Sequence, residues 1–287
     1  MYDCIIIGSG PAGLSAAINL KTYHKNFVWF GSHNLSDKVI KAEKIVNYPG
    51  FPVITGQELY ERFQEHIQSA ELEISEKMVT NVMDASGYYM VLADNEIYEA
   101  KTLILAMGVM SAKELEGEQE FLGRGVSYCA TCDGMLYQGK KIAVICNAAR
   151  YEHEVEYLAG LADQVYYFPT FESSVESDNV EVFKDKPVKI TGDTRVRFLT
   201  LRSGETLEVD GVFCLRNAIA PSNLIPGIQV EKGHIEVDRK MATNLKGCFA
   251  CGDCTGRPYQ YTKAVGEGNI AAHSVVSYLA MEENRKL

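Results

Sequence analysis

The sequence contains no apolar run near the roughly 18–20 residues that a membrane-spanning helix requires. It also has no excess of positive charge, because 28 Lys and Arg stand against 38 Asp and Glu and give a formal net charge of −10. Nucleic acids and anionic membranes bind basic surfaces, so neither is expected as the main partner. No basic region followed by a long apolar stretch opens the chain, and we therefore expect no signal peptide and a cytoplasmic location.

No proline-rich or low-complexity linker divides the 287 residues, but one order of elements occurs twice. In each half an apolar strand, a helix, a second strand and a β-hairpin follow one another. These elements are expected at 4–7, 14–20, 26–30 and 88–99 in the first half, and at 142–145, 151–161, 165–168 and 196–209 in the second. Helices at 58–72 and 264–279 and strands at 102–106 and 247–253 are also predicted.

This repeated order is typical of doubly wound nucleotide-binding domains. We therefore predict an α/β fold with two such domains, each with a β-hairpin or meander layer. The first domain is expected to be discontinuous, over residues 1–112 and 239–287. The second is expected to be inserted at residues 113–238.

A glycine motif directly follows the first predicted strand and opens the first helix: Gly8-Ser9-Gly10-Pro11-Ala12-Gly13. Its first glycine permits a tight turn, its second lets the backbone approach a pyrophosphate, and its third lets helix and strand pack closely. The helix N-terminus offers free N–H groups to the phosphates. The motif predicts dinucleotide binding, although Gly31 and Ser32 stand where an acidic residue for the ribose is often found.

Eight cysteines fall into three groups. Three of them lie in apolar runs and are predicted to be small core residues: Cys4, Cys146 and Cys214. Cys129 and Cys132 form a CxxC, which can cycle between dithiol and disulfide, and no second ligand pair has the spacing of a zinc ribbon. Cys248, Cys251 and Cys254 form a CxxCxxC that fits buried packing, a second redox pair or an iron–sulfur site whose fourth position is Pro258.

The segment from Gly123 to Gly134, with the sequence GRGVSYCATCDG, resembles the redox-active segment of the low-molecular-weight, bacterial-type thioredoxin reductases. The segments NYPGF at 47–51, GEQEF at 117–121 and FACGD at 249–253 agree, so that the resemblance covers nearly the whole chain. It implies FAD in the first domain, a redox disulfide on the second, a rotation of the second domain during turnover and a homodimer. It also implies that Cys132 faces the flavin, Cys129 attacks the thioredoxin disulfide and Asp133 is the acid–base residue.

The family alignment also assigns FAD-binding positions. They are Gly8, Ser9, Gly10, Pro11, Ala12, Gly13, Asn47, Gly108, Gly252, Asp253 and Gln260. Tyr259 and Tyr261 replace smaller or basic residues, and either stacking on the flavin or simple packing fits them. No metal is predicted.

The second domain departs from the NADPH-binding pattern of that family. Its three small positions are Cys146, Ala148 and Tyr151, and its basic 2′-phosphate cluster is replaced by Pro169-Thr170-Phe171. From residue 151 to 183 there is no Lys or Arg but there are eight Asp and Glu. A phosphate would be repelled there, so NADPH is not expected to bind.

A chain that has the CxxC segment but not the NADPH-binding motif resembles the ferredoxin-dependent flavin thioredoxin reductases. Transfer of two electrons from a plant-type ferredoxin near about −400 mV to thioredoxin near about −270 mV is downhill by about 6 kcal/mol. We therefore expect an oxidoreductase that reduces thioredoxin with electrons from ferredoxin. An NADPH-dependent thioredoxin reductase with an atypical pocket and a flavin redox sensor without turnover are the alternatives.

Ferredoxins are typically acidic, so a basic surface is expected near the flavin. Two groups of residues are candidates for it. They are Lys38, Lys41 and Lys44 before the Asn47 segment, and Arg239, Lys240, Lys246, Arg257 and Lys263 later in the chain.

Overall fold

A computed structural model describes residues 1–108, 115–128, 130–216 and 220–285, except for the side chains of Asp37, Lys38 and Cys132. The chain divides into two compact units. The first comprises Met1–Met110 and Leu224–Leu287, and the second comprises Ser111–Asn223. The chain returns to the first unit fifteen residues before the expected position 239, because residues 224–238 are bonded within that unit. Asn244, for example, accepts from the Gln229 N–H at 2.8 Å and donates to the Gly227 carbonyl at 2.8 Å.

The strands and helices are numbered in chain order. The strands are β1 (Tyr2–Ile7), β2 (Phe27–Phe30), β3 (Val79–Asp84), β4 (Tyr89–Ala93), β5 (Glu96–Leu105), β6 (Val126–Ser127), β7 (Lys141–Cys146), β8 (Gln164–Pro169), β9 (Val180–Val182), β10 (Pro187–Gly192), β11 (Val196–Leu201), β12 (Thr206–Glu208), β13 (Gly211–Leu215), β14 (Val230–Glu231), β15 (His234–Ile235) and β16 (Cys248–Ala250). The helices are α1 (Pro11–Thr22), α2 (Asp37–Ile40), α3 (Gly56–Ser69), α4 (Ala130–Asp133), α5 (Glu152–Ala159), α6 (Pro221–Leu224) and α7 (Tyr261–Asn284). Within the described ranges, short 3₁₀ turns cover Gly134–Tyr137, Ala149–Tyr151 and Gly252–Thr255.

The first unit is built on a mixed sheet with the strand order β2-β1-β5-β4-β3, in which β16 also pairs with β5. Strands β1, β2, β5 and β16 are parallel to one another, whereas β4 pairs antiparallel with both β5 and β3. The hairpin strand and the strand expected separately at 102–106 are one continuous β5. Its first half pairs with β4 and its second half with β1 and β16, which explains why the sequence pattern changes along it.

Helices α1 and α7 pack closely on one face of this sheet. At Gly268 a Cβ atom would lie 2.1 Å from the Ala12 carbonyl oxygen, so only glycine permits this approach. The Ser15 hydroxyl donates to the Val265 carbonyl at 2.7 Å across the same contact. The small residues of the predicted helical face therefore serve to bring α7, and the turn that precedes it, next to the first glycine motif.

The second unit contains a parallel sheet with the order β6-β13-β7-β8-β9 and an antiparallel sheet of β10, β11 and β12. Apolar clusters lie on both faces of the parallel sheet, as expected for a doubly wound domain. The helix expected over 151–161 lies two residues earlier, since it begins as the 3₁₀ turn Ala149–Tyr151 and continues as α5 to Ala159.

Among the described helices, none combines the length and the apolar character that crossing a membrane requires.

Candidate functional site

In the glycine turn between β1 and α1, neighbouring atoms block the Cβ positions of two glycines and leave that of the third free. Gly8 has φ +112°, and a Cβ there would lie 2.2 Å from the Ala106 carbonyl oxygen. A Cβ at Gly13 would lie 1.9 Å from the Gly8 carbonyl oxygen. At Gly10, in contrast, no described heavy atom beyond its chain neighbours comes within 4 Å of the Cβ position. Gly8 and Gly13 thus shape the turn, and Gly10 faces the space that a pyrophosphate would need.

Two side chains outside the glycines hold this turn. The indole Nε1 of Trp29 donates to the Gly8 carbonyl at 2.9 Å, and Trp29 is 1% exposed. The Ser9 hydroxyl accepts from the Ser32 N–H at 2.8 Å and donates to the Ser32 carbonyl at 2.9 Å. A Cβ at Gly31 would lie 2.4 Å from the Cβ of Ser9, which explains why no acidic side chain occupies that position. Sequence analysis missed Trp29, although a single tryptophan at the end of β2 was a usable signal.

The Gly252–Asp253 turn meets the first glycine motif. Gly252 has φ +84°, and a Cβ there would lie 2.8 Å from the Cβ of Ala12. The Glu267 carboxylate accepts from the Gly252 N–H at 2.8 Å and from the Thr255 hydroxyl at 2.9 Å. The Lys263 ammonium forms an ion pair with Glu267 at 3.0 Å and donates to the Gly252 carbonyl at 2.9 Å. The structure therefore brings two of the predicted FAD motifs together.

Lys263 departs from its expected role as a surface charge. Its side chain is only 17% exposed, and its ammonium group also donates to the Gly256 carbonyl at 2.9 Å. It is an internal support of the 252–256 turn, and the spacing of four residues between Lys263 and Glu267 on α7 was the signal for it.

Asn47 and Gln260, both predicted to lie near the flavin, are in direct contact. The Asn47 amide donates to the Gln260 side-chain oxygen at 2.6 Å. Tyr259 is 39% exposed and its hydroxyl lies 2.7 Å from Nε2 of His234, and the Arg257 guanidinium lies 5.4 Å from its ring centre. Asn47 lines an open cavity of about 460 Å³ that is formed by residues 46–52.

The residues of the first unit fit FAD. Gly10 offers open space at a helix N-terminus, as phosphate binding requires. Gly108 has φ +72°, and within the described part of the chain nothing lies within 4 Å of its Cβ position. The Gly252 turn, which contacts Ala12, and the Asn47–Gln260 pair are further predicted contacts on the same unit.

The predicted redox segment is described only in part. Cys129 and the side chain of Cys132 lie outside the described residues, while the backbone of Cys132 belongs to α4. The Asp133 carboxylate accepts a hydrogen bond from the Ser127 hydroxyl at 2.7 Å. Met135 and Leu136, which follow directly, are 60% and 61% exposed. An acid held by a hydroxyl and two exposed apolar side chains therefore flank the CxxC.

The corresponding turn of the second unit, after β7, is filled by its own side chains. Cys146 is fully buried, and Tyr151 is 7% exposed and belongs to the apolar core. The Arg150 guanidinium donates to the Tyr151 hydroxyl at 2.8 Å and lies 4.8 Å from the ring centre. The place where a dinucleotide-binding turn has its third glycine is thus occupied by an aromatic ring.

Glu152, the first residue of α5, places a carboxylate beside the same turn. It is 9% exposed and accepts from the Ser173 hydroxyl at 2.7 Å, the Ser174 hydroxyl at 2.6 Å and the Ser174 N–H at 3.1 Å. Burial alone raises the pKa of a carboxyl, but these hydrogen bonds outweigh it and lower the pKa of Glu152 below its ordinary value. The serines follow the segment 169–171, where the family has its basic phosphate cluster.

Comparison with known proteins decides the family. Residues 2–268 match the family described as pyridine nucleotide-disulphide oxidoreductase. The chain belongs to this family. Two solved ferredoxin-flavin thioredoxin reductases from Clostridium acetobutylicum are similar to it, one 49% identical with a TM-score of 0.88 and the other 44% identical with a TM-score of 0.90, each over 98% of both chains. The thioredoxin reductase of Bacillus subtilis (strain 168) is 31% identical over 300 residues, which cover 97% of this chain and 95% of the relative.

These similarities confirm the predicted resemblance to thioredoxin reductases, the α/β fold class and the classification as a flavoprotein oxidoreductase. Within this pyridine nucleotide-disulphide oxidoreductase, the individual roles of Cys129, Cys132, Asp133 and the FAD-binding positions stay predictions. So do the homodimer and the absence of NADPH binding.

The remaining cysteines of this oxidoreductase are buried. Cys4, Cys146 and Cys214 lie in the core as predicted, and none of them forms a disulfide. Cys248, Cys251 and Cys254 are likewise buried and outside any disulfide, and burial raises the pKa of Cys254 to about 11 and that of Cys248 to about 12. Within the described ranges no group of His, Cys, Asp and Glu could hold a metal ion. These observations favour packing over a second redox pair or a cluster.

Proposed function

We propose that the protein is an FAD-dependent thioredoxin reductase that takes its electrons from a reduced ferredoxin and not from a pyridine nucleotide. Its cofactor is FAD, bound by the first unit. Two reduced ferredoxins each give one electron, and the pair reduces the Cys129–Cys132 disulfide to a dithiol with uptake of two protons. The dithiol then reduces the disulfide of thioredoxin. We further propose that the enzyme works as a cytoplasmic homodimer.

The observation that carries the choice of donor is the filled turn after β7. Tyr151 lies in the core where a nucleotide-binding turn has its third small residue, and the Glu152 carboxylate lies beside it. A nucleotide phosphate there would meet a ring and a negative charge instead of free N–H groups and arginines. The similarity to two proteins named ferredoxin-flavin thioredoxin reductases supports the same conclusion.

The residues of the chain have distinct roles in this proposal. FAD supplies a group that accepts single electrons and passes on a pair. The Cys129 thiolate attacks the thioredoxin disulfide and forms a mixed disulfide, and one thioredoxin sulfur leaves as a thiolate. Cys132 then attacks Cys129, which releases the second thioredoxin sulfur and restores the Cys129–Cys132 disulfide. Asp133, held by the Ser127 hydroxyl, delivers a proton to a leaving thiolate.

The surfaces of both units suit protein partners. Met135 and Leu136 give the neighbourhood of the CxxC an exposed apolar surface, as a docking disulfide protein requires. On the first unit, the exposed Lys41 and Lys44 precede the Asn47 segment and can steer an acidic ferredoxin. Lys263 is not a candidate for steering ferredoxin, because its ammonium group is bonded inside the 252–256 turn.

Anaerobic reduction of thioredoxin, measured side by side with reduced ferredoxin and with NADPH, tests the proposal. Ferredoxin is expected to bleach the flavin band and to support turnover, whereas NADPH is expected to do neither. Rapid bleaching by NADPH would establish the pyridine nucleotide-dependent alternative. A flavin that ferredoxin reduces without thioredoxin turnover, in a protein with Cys129 and Cys132 intact, would indicate a sensor.

A further inference from the structure

A buried ion pair lies in the second unit, where Arg216 follows β13, the strand that pairs with β7. The Arg216 guanidinium and the Glu118 carboxylate are 2.8 Å apart, with side chains that are 8% and 1% exposed. Removing two charges from water costs more free energy than their attraction returns unless the geometry is good and further hydrogen bonds are made. Such a pair is poor evidence for stability alone, and its specific partners therefore matter.

Among the described residues, the Glu118 carboxylate accepts hydrogen bonds from three donors. Its Oε1 accepts from Arg216 and, at 3.0 Å, from the Tyr128 hydroxyl, while its Oε2 accepts from the Leu115 N–H at 2.9 Å. The Tyr128 hydroxyl in turn accepts from the side-chain amide of Asn223 at 2.8 Å. Because the hydroxyl proton is committed to Glu118 and a lone pair to Asn223, the ring of Tyr128 is held from two sides.

Tyr128 is directly followed in the chain by Cys129. On the other side of Cys129, Ala130 is fully buried and begins α4. One anchor of the redox segment is therefore ordinary apolar packing, and the other is a hydrogen bond to a buried charge. A hydrogen bond to a charged group is directional and stronger than a neutral one, so it fixes position more sharply than packing does.

The same carboxylate also connects the two ends of the second unit. Leu115 is near its start, which follows Met110, and Asn223 is its last residue before the chain returns to the first unit. Glu118 thus links the residues next to both chain crossings with the residue before Cys129.

We infer that Glu118, Arg216, Tyr128 and Asn223 form a positioning cluster that fixes the start of the CxxC segment and thereby sets the reactivity of its dithiol. The inference rests on the proposed redox role of Cys129 and Cys132. None of the four residues exchanges electrons; they act through the backbone that carries Cys129.

The test compares Tyr128→Phe with Tyr89→Phe in the full-length holoprotein. Both variants remove one hydroxyl from a tyrosine, and Tyr89 is a matched control because its hydroxyl donates to the Lys246 carbonyl at 2.7 Å in the first unit. Asn223→Ala is a second variant that reaches the Tyr128 hydroxyl from the other side. The measurement is the rate of iodoacetamide alkylation of the reduced protein as a function of pH, followed by peptide mass. The other six cysteines are buried, so they react slowly.

In Tyr128→Phe and Asn223→Ala the alkylation rate of the CxxC at pH 7 is expected to change by about threefold or more, with a displaced pH midpoint. FAD content and thermal unfolding should stay close to those of Tyr89→Phe. Equal pH profiles in Tyr128→Phe and Tyr89→Phe, in a protein whose Cys129–Cys132 pair is reducible, would overturn the positioning role and leave the proposed function standing. A wild-type protein without a reducible Cys129–Cys132 pair would overturn both.

Discussion

The turns after β1 and after β7 occupy the same place in two units of common design, yet one is open and the other is filled. At Gly10 the Cβ position faces empty space, whereas the third position of the second turn carries the buried ring of Tyr151. Both units keep parallel strands and an apolar core, and in the second unit Tyr151 is itself part of that core. The comparison teaches that a few small residues can be exchanged for larger ones in such a turn while the sheet of the domain persists.

The two units also use a partly buried glutamate in opposite ways. Glu267 is paired with Lys263 and, through Gly252 and Thr255, holds a turn beside the open glycine motif. Glu152 accepts hydrogen bonds from the hydroxyls of Ser173, Ser174 and Tyr167 and from the Ser174 N–H. The first carboxylate supports a turn beside the predicted FAD motif, whereas the second places its own negative charge beside the turn after β7.

The largest effect is expected from a carboxylate placed in the open turn. Gly10→Asp meets no steric obstacle, because Gly10 has φ −66° and stands at the N-cap of α1, where aspartate is favoured. A charge about 4 Å from a phosphate at an effective dielectric constant near 20 costs about 4 kcal/mol, which weakens binding roughly a thousandfold. The purified variant should therefore lack FAD, as measured by the flavin absorbance.

Ala148→Asp is the matched control, since Ala148 holds the position of Gly10 in the second turn. It should retain full FAD content. Loss of FAD in Ala148→Asp, or retention in Gly10→Asp, would contradict the assignment of the open turn as the FAD site.

Much of this comparison was predictable from the sequence. The positions of β1, β7 and β8, the glycine motif and the loss of small residues at 146, 148 and 151 followed from short-range patterns. The backbone partners of Trp29 and Glu267, at Gly8 and Gly252, were not predictable, because they lie 21 and 15 residues away and only folding brings them together. The same holds for the pair Glu118–Arg216, which is 98 residues apart in the chain.

Glu152→Gln should mainly affect the stability of the second unit. The hydrogen bonds lower the pKa of Glu152 in the folded protein, so ionisation of the carboxyl stabilises the fold above the ordinary glutamate pKa of 4.5. Loss of charge-assisted hydrogen bonds is expected to reduce the free energy of unfolding by about 2 kcal/mol at pH 7. The difference in the free energy of unfolding between Glu152→Gln and wild type, measured by urea unfolding, should become smaller as the pH falls below 4.5 and through the lowered pKa of Glu152.

Glu156→Gln, on the exposed side of α5, controls for the change of net charge. If Glu152→Gln and Glu156→Gln have the same free energy of unfolding at pH 7, the hydrogen bonds to the Glu152 carboxylate do not stabilise the fold. FAD content should be normal in both.

Lys263→Met tests whether the internal lysine supports the FAD turn. It removes the donor to the carbonyls of Gly252 and Gly256 and leaves Glu267 without its cation. The loss of about 1.4 kcal/mol of turn stabilisation predicts about tenfold weaker FAD binding in a titration of the apoprotein. Lys246→Met is the control, because Lys246 is 64% exposed in its pair with Glu282 and should change FAD affinity little. Equal FAD affinities in both variants would mean that Lys263 supports FAD binding no more than an exposed lysine does.

The smallest effect is expected at Cys251 and Cys254 of the first unit, for which we predict no redox chemistry. Cys251 and Cys254 are 0% and 3% exposed, and the Cys254 thiol donates to the Cys251 carbonyl at 3.2 Å. Since burial raises the pKa of Cys254 to about 11, neither thiolate formation nor disulfide exchange is favoured near pH 7. Cys251→Ala with Cys254→Ala should keep thioredoxin turnover within about twofold and lower stability by about 1–2 kcal/mol through lost packing, whereas Cys132→Ser should abolish turnover. A strong loss of turnover in the double alanine variant, with FAD retained, would mean that both units carry redox thiols and would end the contrast between them.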